Sequence, residues 1–141
     1  MVQVPFNLID QRQRSLFSLS EQHGIGLIIR SVLFRGFLTG KSLQLHPALK
    51  AVEAHLQKFI SLEGSDIPDL IALAIKFVLS YSAVASVLVG MDQKNHLTQA
   101  LEVVDGQYFG PEFLSKLEKM AYPEPEFLNF SQWVKNGWLE N

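Results

Sequence analysis

The stretch RSVLFRGFLTGK, residues 30–41, concentrates the groups best suited to chemistry: Arg30, Ser31, Arg35, Gly36, Thr39, Gly40 and Lys41. Guanidinium and ammonium groups attract anions, and an arginine fork bonds a phosphate or carboxylate with two parallel N–H donors. Glycine lets backbone N–H groups approach such an anion closely. The residues just before, Ile25 to Ile29, form an apolar run broken only by Gly26. Short and β-branched, the run reads as a strand buried on both faces. In α/β folds, anionic ligands bind at the C-terminal ends of parallel strands, so a basic, glycine-bearing loop at that point is a candidate anion site. The blander reading stands beside it: Arg30 and Arg35 could be solvated loop cations. Gly24, Gly26, Gly36 and Gly40 do not form a GxGxxG, which argues against a Rossmann fingerprint.

The other candidates are weaker. His23, His46 and His55 lack metal-ligand spacing, and no cysteine exists to supply a thiolate, so no metal site is expected. The net charge of −2 gives no basic excess for nucleic acid. No apolar run reaches membrane-spanning length, and the N-terminus lacks a basic segment followed by an apolar core. The expectation is a soluble cytoplasmic protein. At 48% apolar and 18% charged residues over 141 positions, the chain is globular, with material for one domain over 1–141.

Several elements must position the loop. Met1 to Val4 reads as a strand stopped by Pro5, and Asn7 and Asp10 as turn formers. Gln11 to His23 suits an exposed helix that Gly24 stops. Pro47 opens a helix with Leu49, Val52, Leu56, Phe59 and Ile60 on one face, and Lys50 and Lys58 on its solvated side. Asp66 is the expected cap of the next helix, from Leu70 to Val78, with Ile71, Ala74, Ile75 and Val78 toward a sheet. Val84 to Val89 reads as a second buried strand ended by Gly90. Asp92 would cap a helix to Val104, on which Leu97, Leu101 and Val104 share a face. Pro111 starts a short helix through Met120. An aromatic tail follows, in which Ser131 is the expected cap of a last turn ending at Gly137, and Trp133 and Trp138 are packing residues. Strands alternating with helices imply βαβ units and a parallel sheet.

Three motifs, QVPFNLID, HGIGLIIRSVLFRGFLTGK and SVLVGMDQKNHL, in that order and spacing, closely resemble the C-terminal half of aldo/keto reductases. The tail FLNFSQWVKNGWLEN resembles the end of such enzymes. The resemblance implies an α/β fold: the C-terminal portion of a (β/α)8 TIM barrel, about three parallel strands, the sixth to eighth, with flanking helices. Family members reduce carbonyls with a nicotinamide dinucleotide. Their catalytic Asp, Tyr, Lys and His lie on the first four strands, outside this sequence. Tyr81, Tyr108 and Tyr122 do not match the catalytic tyrosine, so no catalytic residue is assigned.

The resemblance does imply a cofactor cradle. Gln3 matches a glutamine that contacts the nicotinamide amide, unless it satisfies buried backbone groups. Arg30 stands where many members stack an aromatic on the nicotinamide ring, and a planar guanidinium can also stack. Ser31, Leu33, Arg35, Gly36 and Lys41 match the loop folded over the pyrophosphate. Gly90, Met91 and Asp92 match the turn that meets the adenosine end. His96 and Gln99 match positions near the phosphate or adenine, and Ala100 replaces a usual asparagine. A carboxylate at Asp92 would repel a 2′-phosphate and accept from a ribose 2′-OH, which favours NAD over NADP. Asp92 could equally be an N-cap, or both.

The expected function is therefore an oxidoreductase segment supplying the NAD(P)-binding edge for hydride transfer to or from a carbonyl or sugar, inactive without the catalytic half. Its expected partners are the dinucleotide, a small carbonyl or sugar substrate, and a chain carrying the N-terminal barrel half. The alternative is a non-catalytic structural or interaction module that self-associates through open strand edges. Met1 directly inside a strand also raises a third expectation, a truncated chain.

Overall fold

The computed structural model describes residues 1–40, 44–64, 67–90 and 94–139. Among these, strands β1 (Val2–Pro5), β2 (Leu27–Arg30) and β3 (Val84–Val87) form one sheet, parallel and in chain order. The connections run through helices, as parallel pairing requires. After β1 come a 3-10 turn (Arg12–Ser15) and α1 (Leu16–Gln22). After β2 come a distorted 3-10 segment (Phe34–Thr39), a turn at Pro47–Leu49, α2 (Lys50–Ile60) and α3 (Leu70–Leu79). After β3 come α4 (Lys94–Val103), α5 (Pro111–Glu118) and α6 (Phe130–Lys135).

The register assigns the two faces of the sheet. Val2, Leu27 and Val84 form one row and Val4, Ile29 and Val87 the next. Side chains alternate along a strand, so both rows share a face. That face meets the core: Leu27, Ile29 and Val4 are buried, in one core cluster with Ala74, Ile75 and Val78 of α3. The intervening row, Gln3, Ile28 and Ser86, belongs to the other face, as does the pair Pro5 and Arg30. There Gln3, Ser86 and Arg30 are exposed and Ile28 is half-buried.

The sheet is thus covered on one side among the described residues, and the strands are not buried on both faces. Ile25 is 40% and Leu88 47% exposed. An apolar run fixes the strand; it does not supply a layer to cover its second face. On β3 the register shifts at Ala85, between the pairs Leu27–Val84 and Ile28–Ser86, as at a β-bulge.

Two caps also differ from expectation. Asp69, not Asp66, caps α3, its carboxylate accepting from the Ala72 N–H at 2.7 Å. Asp66 lies outside the described residues. Asn129, not Ser131, caps α6 by accepting from the Gln132 N–H. In each case the cap is the residue whose extended backbone immediately precedes the helix.

On α4 and just past its end, Leu97, Leu101 and Val104 share a face that points to solvent, at 46, 64 and 52% exposure, while Ala100 and Val103 enter the core. The aromatic core has two centres. Phe6, Phe17, Phe77 and Tyr81 pack together. Phe34, Phe37, Phe130 and Trp133 form the second, which joins the tail to the loop after β2.

Candidate functional site

At the C-terminal end of β2 a cleft of about 320 Å³ opens between three segments. The loop after β1 contributes Asn7, Asp10 and Arg12. The loop after β2 contributes Arg30, Ser31 and Arg35. The third wall is the tail, with Leu128, Asn129, Phe130 and Ser131.

The loop after β2 is locally unusual. Ser31 (φ 61°), Phe34 (φ 46°) and Arg35 (φ 53°) adopt left-handed backbone, followed by Gly36 at φ 90°. A non-glycine residue there costs of order 1–3 kcal/mol, so neighbours must hold it. Backbone bonds do part of this: Phe34 N–H donates to the Ser31 carbonyl and Leu38 N–H to the Leu33 carbonyl. The Thr39 hydroxyl donates to the Gly36 carbonyl at 2.7 Å. The buried Phe34 ring, 2% exposed, anchors the middle.

Asn7, 1% exposed, ties the two strand loops together. Its Oδ1 accepts from the N–H groups of Ile9 and Asp10 at 3.1 and 2.9 Å, and its Nδ2 donates to the Ser31 carbonyl at 3.1 Å.

The charges divide by partner. Arg12 makes a forked pair with Asp10, Nε to Oδ1 at 2.9 Å and Nη2 to Oδ2 at 2.7 Å, and Glu126 lies 3.6 Å away. That hydrogen bond raises the Arg12 pKa above its already high ordinary value, so its charge is permanent and locally neutralised. Arg30 donates to the Ser31 hydroxyl at 3.2 Å, and Arg35 places its Cζ 5.0 Å from the centre of the Phe130 ring. Among the described residues neither has a carboxylate within ion-pair distance. A cleft with two guanidinium groups unneutralised by carboxylates and a hydroxyl suits an anionic group carrying several acceptor oxygens, such as a diphosphate.

Of the other sequence-derived candidates, Leu33 is half-buried in the same loop and Gln3 is exposed on the open face of the sheet, on the side from which Arg30 projects. Gly90 is exposed past β3, and His96 and Gln99 are half-buried on α4. These four polar or turn positions do not line the cleft. Lys41, Met91 and Asp92 lie outside the described residues.

The cleft also includes side chains that sequence reasoning did not assign to it. Asn7 and Asp10 were legible as turn formers, and the end of a parallel strand would have marked that turn as part of the same edge. Nothing local in the sequence places Asn129, Phe130 and Ser131 there.

Two further polar features lie on the helical side. Tyr81 donates to Glu118 at 2.9 Å, whose other oxygen is 3.1 Å from Arg14; burial chiefly, then the bond to Glu118, raises the phenol pKa well above its usual value. His55, buried, has Nε2 at 2.7 Å from the Met120 carbonyl oxygen, which places the proton on Nε2. Both are fastening contacts: the first joins the segment after α3 and the turn after β1 to α5, the second joins α2 to the segment after α5.

A parallel β/α segment with a cationic cleft at the C-terminal end of its strands is the architecture of a piece of a β/α barrel. The sequence matches the model of the aldo/keto reductase family over residues 1–121, and the chain belongs to that family. Among solved structures it is similar to the aldo-keto reductase AKR11C1 from Bacillus halodurans in its holo form, at 20% identity and a TM-score of 0.71, covering 87% of this chain and 43% of that one. It is similar also to the glycerol dehydrogenase AKR11B4 from Gluconobacter oxydans, at 20% identity and a TM-score of 0.71, covering 84% of this chain and 41% of that one. No curated protein sequence matches the chain. At this identity the structural likeness establishes the fold, and the chain spans less than half the length of the structures it matches.

Proposed function

We propose that this chain supplies the dinucleotide-binding edge of an aldo/keto reductase barrel. The observation that carries the reading is the pair Arg30 and Arg35, without carboxylate partners among the described residues, beside Ser31 at the C-terminal end of a parallel strand. In this reading the cleft takes the diphosphate, and Arg30 serves it rather than stacking on the nicotinamide ring. Ser31, Leu33, Gly36 and Lys41 complete the loop around it, and Gly90, Met91, Asp92, His96 and Gln99 serve the adenosine end. Gln3, exposed on the open sheet face, is available to a nicotinamide amide. A bound nicotinamide dinucleotide supplies the hydride donor or acceptor. The residues of this chain bind and orient it, and no residue here is assigned to proton transfer with the carbonyl or sugar substrate. Asp92 favours NAD over NADP by repelling a 2′-phosphate. Catalysis then requires the strands that carry the acid-base groups, on the same polypeptide or another. The uncovered sheet face and the apolar stripe of α4 support such a complement.

Calorimetric titration with NAD and NADP tests this. A micromolar Kd, about −8 kcal/mol, with NAD the tighter ligand, is the expected result. A folded chain that binds neither refutes it. The second reading, a self-associating module without catalysis, draws on the same features: among the described residues β1 and β3 each have one strand neighbour, and Leu101 is 64% exposed. A stable dimer by sedimentation, indifferent to dinucleotide, would favour it.

A further inference from the structure

We propose that Phe130 is a positioning residue for Arg35, so that the C-terminal tail presets the anion cleft. This deepens the cofactor reading and rests on it. The tail lies beyond the stretch matched by the family model, which ends at residue 121, yet it forms a full wall of the cleft. Its contact with the loop is specific. Phe130 packs on Phe34 at 4.5 Å and on Phe37 at 5.8 Å between ring centres, so it holds the loop on both sides of Arg35. The Arg35 guanidinium lies over the Phe130 ring at 5.0 Å.

Arg35 itself is exposed. Without a platform, a long side chain on a left-handed loop residue would sample many rotamers, and ordering it on binding would weaken affinity. The ring face attracts the cation while leaving the N–H edge of the guanidinium free. That edge, in the cleft Arg35 lines with Arg30 and Ser31, is what an anion would meet. Phe130 is fixed in turn: Trp133, 1% exposed, packs at 5.1 Å from it and donates from Nε1 to the Phe127 carbonyl at 2.8 Å. Asn129, at the start of the same helix, caps it.

The test uses inorganic pyrophosphate and NAD as probes, by calorimetry on the full chain. Phe130→Leu keeps an apolar side chain but removes the π face, and weakens pyrophosphate binding by about fivefold. Phe130→Tyr restores the ring and returns the affinity to within about twofold of wild type. Arg35→Gln weakens binding, and the double variant Arg35→Gln, Phe130→Leu is no weaker than Arg35→Gln alone, because both remove one coupled contact. A leucine variant that binds like wild type, or a double variant with additive losses, overturns the inference and leaves the cofactor reading intact. A wild-type chain that binds neither probe overturns both. If the leucine variant does not fold, the Arg35 Hε resonance of the wild type decides. An upfield ring-current shift supports the stack, and a random-coil shift overturns it.

Discussion

Replacing Asn7 probes the fastening between the two loops that frame the cleft. Its side chain satisfies two buried N–H groups, of Ile9 and Asp10, and bonds the Ser31 carbonyl. Ile9 is 0% and Asp10 8% exposed, so water does not easily replace the lost acceptor. A buried donor left unpaired costs roughly 1–3 kcal/mol. Asn7→Ala strands two of them and is expected to cost about 2–6 kcal/mol, a large share of the ~5–15 kcal/mol that holds a domain together. Asn7→Asp separates the parts of this sum. The acceptor for both N–H groups remains, but the second oxygen now faces the Ser31 carbonyl.

Burial and that carbonyl disfavour the charged form, while the two N–H donors can be accepted by the neutral acid's carbonyl oxygen as well, so the folded state raises the pKa of the introduced carboxyl. For an acid so raised, the folded state binds its proton more tightly. Stability relative to wild type is then greatest below the unfolded value of about 3.9 and falls as pH rises toward the folded value. The protonated carboxyl can donate to Ser31 as the amide does. Urea unfolding of wild type, Asn7→Ala and Asn7→Asp at pH 4 and pH 7 provides the assay. The expected result is an aspartate variant close to wild type at pH 4 and about 1–3 kcal/mol weaker at pH 7. A cost below about 1 kcal/mol for Asn7→Ala, or an aspartate deficit equal at both pH values, would refute the reasoning.

Other perturbations follow from the same geometry. Gly26→Ala would bring a Cβ to 2.9 Å from the Cβ of Ala85 on the neighbouring strand. Overpacking of about 1–3 kcal/mol outweighs the ~0.4–1 kcal/mol gained from a stiffer unfolded chain, so the variant melts several degrees lower in calorimetry. Tyr81→Phe removes the phenol that donates to Glu118. Because burial raises that phenol's pKa, its contribution is intact below about pH 10 and declines as pH rises above that toward the higher folded value. Alkaline unfolding should therefore be less steep in the variant, followed by tyrosinate absorbance. Leu101→Lys, at a 64% exposed position, should change stability by less than about 0.5 kcal/mol. If α4 mediates self-association, it should shift the sedimentation profile toward monomer, and an unchanged dimer would exclude that contact.

The sequence by itself determined the order of strands and helices, the basic loop at the end of β2 and the family. These are local properties. An apolar β-branched run, a 3.6-residue stripe and a glycine-bearing cluster of cations each declare themselves within a dozen residues. Helix boundaries shifted by a few positions, as at Asp69, because several residues near a helix start have cap chemistry and only backbone conformation selects one.

Tertiary structure alone decided which faces are covered. The stripe Leu97, Leu101 and Val104 has the period of a buried face and points to solvent. Periodicity says that an apolar face exists; only a neighbouring element can bury it. The composition of the cleft was likewise invisible. Asn7 and Ser31 are 24 residues apart, and Phe130 reaches Arg35 from the far end of the chain. Such contacts leave no local pattern, because they arise from where the packed helices deliver the ends of the chain.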